Sequence, residues 1–320
     1  MTSSLWGLRW VANRFLHLAP VALLATFFVF GMLYLVPGDP AITLAGENAS
    51  VQHIQEIRTL YGLDRPFVVQ YADWLDRVAH GNLSQSLLSG EPVAGEIAHR
   101  LPNTLLIVAG ALGLSILIGV PLSIAAALRP GSRFDHWSMA IASTGVSIPS
   151  FWLAMALVSA FALNFHWFPA TGATALGDGV GEALRHIVLP AVALSASGVA
   201  TIARQLRTAF ADALVAPYVR TLRAKGLSPS AILWKHCLKN VSVPFLTVLG
   251  LLANRLLGAT IVIEIVFAIP GIGSMVVNAA INKDFPVVQG VVLVTVAIVI
   301  AINLVVDGLC RLLDPRIARA

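Results

Sequence analysis

The sequence predicts an all-α membrane protein of six transmembrane helices, with an external helical insertion between the first span and the second. Three observations carry this. Hydrophobic residues make up 57% of the 320 and charged residues only 12%, and mean hydropathy is +0.82, which leaves far too little polar surface to coat a soluble globule of this size. Six runs of roughly twenty mainly apolar residues, each enough for a ~30 Å hydrocarbon core, fall near Phe15–Val36, Leu105–Leu128, Trp137–Phe165, His186–Ala203, Val241–Phe267 and Val287–Leu309. Lysine and arginine then collect beside alternate ends of those runs.

The amino-terminal stretch 1–14 carries Arg9 and Arg14. The first span, 15–36, lacks a small-residue cleavage site and is long enough to cross, so it reads as a retained helix rather than a signal peptide. Residues 37–104 are too long and too patterned for a plain connector and read as an external helical segment. Ser50 suits the N-cap of a helix whose Ile54, Ile57 and Tyr61 share a face, with Gly62 ending it. Asp64 and Pro66 open another, with Phe67, Tyr71, Trp74 and Val78 aligned and Gly81 as its stop. The amphipathic pattern favours a cap over the helix ends above a direct ligand site.

Residues 105–311 hold the other five spans. In the second, Ala109 with Gly113 and Ser115 with Gly119 place small residues at four-residue spacing, which permits close packing on a neighbour. Pro20, Pro121, Pro149, Pro190 and Pro244 lie within or at the ends of five spans. Each removes a backbone donor and can kink its helix, although proline is in any case commoner in membrane helices than in soluble ones.

Orientation follows from charge. Arg9, Arg14, Arg129, Arg133, the basic residues of 204–240 and Arg311, Arg316 and Arg319 mark one face, while the opposite face is dominated by acids such as Asp39, Glu47, Asp64, Asp73, Glu91, Glu96 and Asp178. By the positive-inside rule the basic face, both termini and the 312–320 tail are cytoplasmic. Cys237 and Cys310, too few for a disulfide framework, fall on that side and are expected to stay reduced.

Between Arg204 and Lys239 seven basic residues meet the single acid Asp212, and the chain breaks at Ala216-Pro217, Gly226 and Ser228-Pro229. Two or three short helices fit. Pro217 suits a first turn, Gly226 a helix stop and Ser228 an N-cap, which makes Tyr218–Lys225 a short helix on the membrane surface. Charges that only fixed topology or touched anionic lipid would need no such turn chemistry.

This loop, Tyr218-Val-Arg-Thr-Leu-Arg-Ala-Lys-Gly226-Leu-Ser, resembles the cytoplasmic loop of the integral-membrane subunits of binding-protein-dependent ABC importers, in the dipeptide, oligopeptide and nickel permease branch. The resemblance extends along nearly the whole chain, through Val36-Pro-Gly-Asp-Pro40, Tyr61-Gly-Leu-Asp64, Gly81-Asn-Leu-Ser84, Arg100-Leu-Pro-Asn-Thr104 and Gly145-Val-Ser-Ile-Pro-Ser-Phe-Trp152. It continues in Phe267-Ala-Ile-Pro-Gly-Ile-Gly273, Asp284-Phe-Pro-Val-Val-Gln-Gly290 and Asp314-Pro-Arg-Ile317. The long external segment is similar to that of the first permease of each pair, the DppB- or OppB-like one. Where the general importer loop has Glu-Ala-Ala this chain has Arg220, Thr221 and Leu222, and Leu222 is the departure within the branch.

The resemblance implies a type I importer permease in a bacterial inner membrane that forms half of a translocation pathway for peptides by alternating access. It implies as partners a second, homologous permease, two ATPase subunits, an external substrate-binding protein and membrane lipid, with no nucleic acid. Nickel complexes, opines or glutathione are alternative cargoes in the same architecture. The implied coupling residues are Tyr218, Arg220, Thr221, Arg223, Ala224, Lys225, Gly226, Leu227 and Ser228. ATP and Mg are expected on the partner ATPases, with no cofactor or metal in this chain. Independently, none of the four lysines, Lys225, Lys235, Lys239 and Lys283, follows a Gly-x-x-x-x-Gly pattern, so no P-loop is expected and the chain is read as a non-enzyme.

Arg255 and Glu264 are charged groups in the apolar fifth span. An arginine near mid-membrane costs roughly 2.5 to 3.5 kcal/mol on insertion scales, which favours a paired or pathway-facing position. Nine positions apart, the two lie about 13 Å from each other along the axis at 1.5 Å rise, too far for a direct pair. Arg255, Ser147 and Pro149 are the candidates for the translocation pathway, a salt bridge to another span being the competing reading of Arg255. Asp39, Glu264, Pro270 and Gly271 are the candidates for an external gate or a docking surface, with helix-end solvation the competing reading of Glu264. A secondary transporter would instead place ion-coupling carboxylates or histidines deep in several spans. An intramembrane hydrolase built on Ser147, Ser150 and His166 would lack any accompanying motif.

Overall fold

A computed structural model of the chain describes residues 20, 22–31, 40–46, 49–60, 62–174, 177 and 179–313. The two tails, much of the 15–36 span, Asp39, Tyr61 and the Asp314–Ile317 motif lie outside the described residues. Among the described residues all regular structure is helical, apart from one isolated antiparallel bridge between Gln85 and Pro92. The chain falls into two compact units, Met1–Leu101 with Met275–Ile300, and Pro102–Ser274 with Ala301–Ala320.

The first unit contains α1 (Ala22–Gly31), α2 (Pro40–Ala45), α3 (Val51–Leu60), α4 (Phe67–Ala79), the start of α5 (Val93–Ala127), most of α12 (Ile272–Ile281) and the outer part of α13 (Phe285–Leu313). The turn chemistry of the insertion forms as the sequence dictates. Ser50 Oγ accepts from His53 N at 3.2 Å, and Gly62 (φ +63°) and Gly81 (φ +78°) take up the left-handed stops of α3 and α4. The aligned face of α4 packs on α1. The Phe67 and Tyr71 rings stand 5.3 and 5.4 Å from Phe27, and Trp74 stands 5.7 Å from Phe30, while Tyr71 Oη lies 2.9 Å from Thr26 Oγ1. Asp284, ahead of α13, is buried and accepts from Ser86 Oγ at 2.5 Å and Leu87 N at 3.2 Å.

The second unit contains the rest of α5, then α6 (Arg133–Ser147), α7 (Ser150–Leu157) with a π-helical continuation to Asn164, α8 (Val180–Val215), α9 (Pro217–Ala224), α10 (Pro229–Ala231), α11 (Leu238–Val266) and the inner end of α13. Small residues let α8 lie against its neighbours. Gly110 of α5 faces Ala191, Gly119 faces Ile202, and Ser115 fills the space over Gly198. Ala109 and Gly113, the other pair of the expected small-residue stripe, are exposed instead. Gly145 of α6 meets the Ala196 carbonyl of α8, and Gly250 of α11 meets Val306 of α13.

Among the described residues, four helices are long and apolar enough to cross a membrane: Val93–Ala127, Val180–Val215, Pro229–Val266 and Phe285–Leu313. The expected span over Trp137–Phe165, with its candidate kink at Pro149, is two helices bent by 95°. Pro149 forces the break, since its ring pushes Ile148 to extended backbone (φ −77°, ψ 122°) and it donates no N–H. Pro121, Pro190 and Pro244, by contrast, sit inside continuous helices. Two expected spans prove to be segments of longer helices: α5 begins at Val93, and α8 runs on to Val215 because Leu206 and Phe210 extend the buried stripe of Ile202 and Ala203. Arg204 and Arg207 therefore ride on a helix rather than a loop. Both cysteines are free.

Candidate functional site

The chain segment leaving α8 is built by local rules. Ala216 is extended and Pro217 occupies the first turn of α9, where its missing N–H costs nothing. At the other end Gly226 (φ +81°) donates to Arg223 O at 2.9 Å and Leu227 N donates to Leu222 O at 3.2 Å, the paired bonds of a Schellman stop. That motif commonly joins the residues at these two positions by an apolar contact, and both leucines are half-buried. Leu222, the departure from the importer pattern, thus belongs to the helix stop. Ser228 then caps the next helix, its Oγ accepting from Ala231 N at 3.3 Å.

The underside of α9 is fixed to what precedes and follows it. Val219 is 1% exposed, and Tyr218 Oη donates to Cys237 Sγ at 3.7 Å while Cys237 Sγ lies 4.0 Å from Ala213 O. Burial pushes the Tyr218 phenol above its ordinary range, so it remains a neutral donor. These contacts hold α9 to the end of α8 on one side and to the turn entering α11 on the other. Arg220, Thr221, Arg223, Ala224, Lys225, Gly226 and Ser228 are all exposed, and no atom lies within 4 Å of where a Cβ on Gly226 would sit. The arrangement is a short lever with an open, basic outer face.

A second cluster closes the far end of α11. Glu264 is fully buried: Oε1 accepts from Thr104 Oγ1 at 2.6 Å and Oε2 from Ser274 N at 2.8 Å. Thr104 Oγ1 in turn accepts from Ile272 N at 3.0 Å. Helix-end solvation is therefore not what Glu264 does; its carboxyl replaces water for the turn between α11 and α12. Gly271 has no room for a side chain, since a Cβ there would overlap that carboxyl. Pro270 is exposed and its carbonyl accepts from Asn103 Nδ2 at 2.9 Å. One carboxylate thus ties the Phe267–Gly273 turn to the Arg100–Thr104 segment of α5.

The family model described as "Binding-protein-dependent transport system inner membrane component" matches residues 119–319, and its amino-terminal companion matches residues 7–108. The chain belongs to this family. It is a permease subunit of an ABC importer. A dipeptide transport system permease, DppB, of Alkalihalophilus pseudofirmus is 38% identical over 97% of this chain and 99% of its own length. A di/tripeptide transport system permease of Pseudomonas aeruginosa is 36% identical over 97% and 98%. A glutathione transport system permease, GsiC, of Salmonella typhimurium is 37% identical over 97% and 99%. Among solved structures, the inward-facing MetNI methionine ABC transporter aligns with a TM-score of 0.56 at 20% identity, covering 68% of this chain and 96% of its own, which shows the shared fold.

The remaining candidates of the permease separate. Arg255 is exposed on α11 and has no ion-pair partner among the described residues, so the salt-bridge reading finds no support within this chain. It shares an uncovered stripe with Leu251, Gly258 and Val262. Ser147 and Pro149 are exposed at the 95° break, and Ser147 Oγ donates back to Ser143 O at 3.1 Å. Neither Ser147 nor Ser150 is hydrogen-bonded to His166 among the described residues. Asp39 lies outside the described residues.

Several buried polar groups went unassigned in the sequence. Asp135 Oδ1 and Oδ2 accept from Arg207 Nε and Nη2 at 3.0 and 2.5 Å, and Oδ2 also from Gly131 N at 3.0 Å. This bidentate pair braces the start of α6 against α8. Asn254 Nδ2 donates to Asn303 Oδ1 at 3.0 Å, joining α11 to α13. The signal that could have found the asparagines is a polar side chain inside an apolar run.

Proposed function

We propose that this permease is one of two transmembrane subunits of an ATP-driven peptide importer, and that α9 is the element its ATPase partners grip. The observation that carries the reading is α9 itself: a capped helix with an exposed basic face, bonded underneath to Cys237 at the entry to α11, which in turn lies against the Ala213 carbonyl of α8. ATPase closure displaces such a helix as a unit, and the displacement passes to the two attached spans so that a central cavity opens alternately to each side. The charge distribution supports a location of α9 and both termini on the cytoplasmic side of a bacterial inner membrane. ATP hydrolysis belongs to separate subunits, a second homologous permease completes the pathway, and a soluble binding protein delivers cargo outside. Arg255, exposed on α11 and without an ion-pair partner among the described residues, is suited to meet a peptide carboxylate in that pathway. The naming of two relatives for dipeptides and tripeptides supports the cargo; the glutathione relative, matched over as much of the chain, supports a modified tripeptide as the second reading.

Reconstitution tests this. Labelled dipeptide should enter proteoliposomes only with ATPase subunits, ATP and binding protein together. Uptake driven by an ion gradient alone would overturn the reading, and competition between dipeptide and glutathione decides between the two cargoes.

A further inference from the structure

Within the first unit, α1, α4, the segment around Ser84–Leu87 and the start of α13 enclose a cavity of about 220 Å3. At ~30 Å3 per water it holds roughly seven waters, the scale of one amino-acid residue rather than a drug-sized ligand. One wall is aromatic, formed by the buried Phe30 and Trp74 and the half-buried Phe285. Among the described residues, Gln289 and Arg77 on this wall have no side-chain hydrogen-bond or ion-pair partner. Gln289 is 7% exposed, and its amide has no hydrogen-bond partner among the described residues. The Gln289 amide is open to the cavity rather than sealed in protein, so its donors and its acceptor are available to a ligand atom. Arg77 lines the same cavity without a carboxylate partner among the described residues, whereas Arg65 is neutralised by Asp73 at 2.9 Å.

We propose that this cavity binds a single apolar amino-acid residue carrying a free carboxylate. Its side chain lies on Phe30, Trp74 and Phe285, its carboxylate meets Arg77, and its amide or amine side meets Gln289. The charge balance selects an anion, because the Arg65–Asp73 pair cancels and Arg77 remains. The site is on the face that charge patterning assigns to the outside, and it stands on the cavity's chemistry whether or not peptides are transported.

The experiment is calorimetric titration of the full-length permease, with its copurifying subunits, in lipid nanodiscs without binding protein or ATP. The probes are N-acetylphenylalanine, its primary amide, free phenylalanine, Ala-Phe and Phe-Ala. The acid should bind and the amide should bind at least about tenfold more weakly, the worth of one charge-assisted contact. Arg77→Gln and Gln289→Leu should each weaken the acid by a similar factor, with Arg77→Lys retaining part of the affinity; Arg77 is exposed, so its variants test binding rather than folding. Binding of Ala-Phe with N-acetylphenylalanine identifies a peptide C-terminus as the ligand, and preference for free phenylalanine identifies the amino acid. Equal binding of acid and amide, unchanged affinity in both variants, or no binding at millimolar probe overturns the proposal.

Discussion

Thr104→Val removes a hydroxyl that serves two partners at once, and both lie beyond the reach of solvent. Thr104 is 2% exposed and Glu264 fully buried, so the lost donation to Glu264 Oε1 and the lost acceptance from Ile272 N are not made good by water. An unsatisfied buried group costs about 1–3 kcal/mol. Two such groups, partly offset by the added methyl, give a loss of about 2–4 kcal/mol. At about 2–4 °C per kcal/mol for a domain of this size, the unfolding midpoint should fall by about 5–15 °C. Cys237 is completely buried, so a thiol-reactive fluorophore at fixed scan rate reports opening of the unit that contains the turn. Thr104→Ser keeps both bonds and is the control. Glu264→Gln should resemble Thr104→Val, because both carboxyl oxygens accept and an amide must turn a donor toward Thr104 Oγ1 or Ser274 N. If Thr104→Val melted with Thr104→Ser, the turn would not depend on this network.

Three further outcomes follow from the geometry. Gly226→Ala places a side chain at φ +81° at a cost of about 1 kcal/mol, so it should loosen the end of α9 and lower ATP-driven uptake while membrane abundance stays unchanged; Gly226→Asp should add charge to the exposed face and weaken ATPase association further, as pull-down would show. Breaking the Asp135–Arg207 pair by Asp135→Asn or Arg207→Leu should cost about 2–4 kcal/mol, somewhat below the value for a wholly buried pair because the Arg207 side chain keeps 27% exposure, and a double-mutant cycle in thermal unfolding should show strong coupling. Ala268 holds the left-handed stop of α11 at φ +49° with an exposed side chain, so Ala268→Gly should raise stability by about 0.5–1 kcal/mol, seen as a higher midpoint.

How far the sequence could be read depended on the range of the interaction. The ends of α9 were legible because Pro217, Gly226 and Ser228 act on their own backbone within four residues, and α3 and α4 were legible through Ser50, Gly62 and Gly81 for the same reason. The aromatic face of α4 was also legible, as periodicity alone aligns Phe67, Tyr71 and Trp74. The ends of α5 and α8 were misjudged because apolarity marks the length that suits a bilayer, whereas a helix continues wherever its next turn can still bury a face, as Leu206 and Phe210 do.

Glu264 shows what local reading cannot supply. A carboxyl near the end of an apolar span is solvated when the chain beyond it leads into water, and anchored when the chain folds back over it; the sequence around residue 264 is compatible with either. The decision rests on Thr104, 160 positions earlier, and on a glycine at 271 that leaves the space open. Arg255 is the converse, a charge whose one carboxylate on the same span, Glu264, lies about 13 Å away along the axis and for which the described residues provide no ion-pair partner. The two charges of α11 thus divide by whether this chain completes them. Glu264 is satisfied within it and belongs to the scaffold, while Arg255 is left exposed with no ion-pair partner among the described residues, which fits the proposal that its partner comes from outside the chain. An Arg255→Leu variant that keeps its thermal midpoint but loses peptide uptake fits that division, and one that unfolds early returns Arg255 to the scaffold.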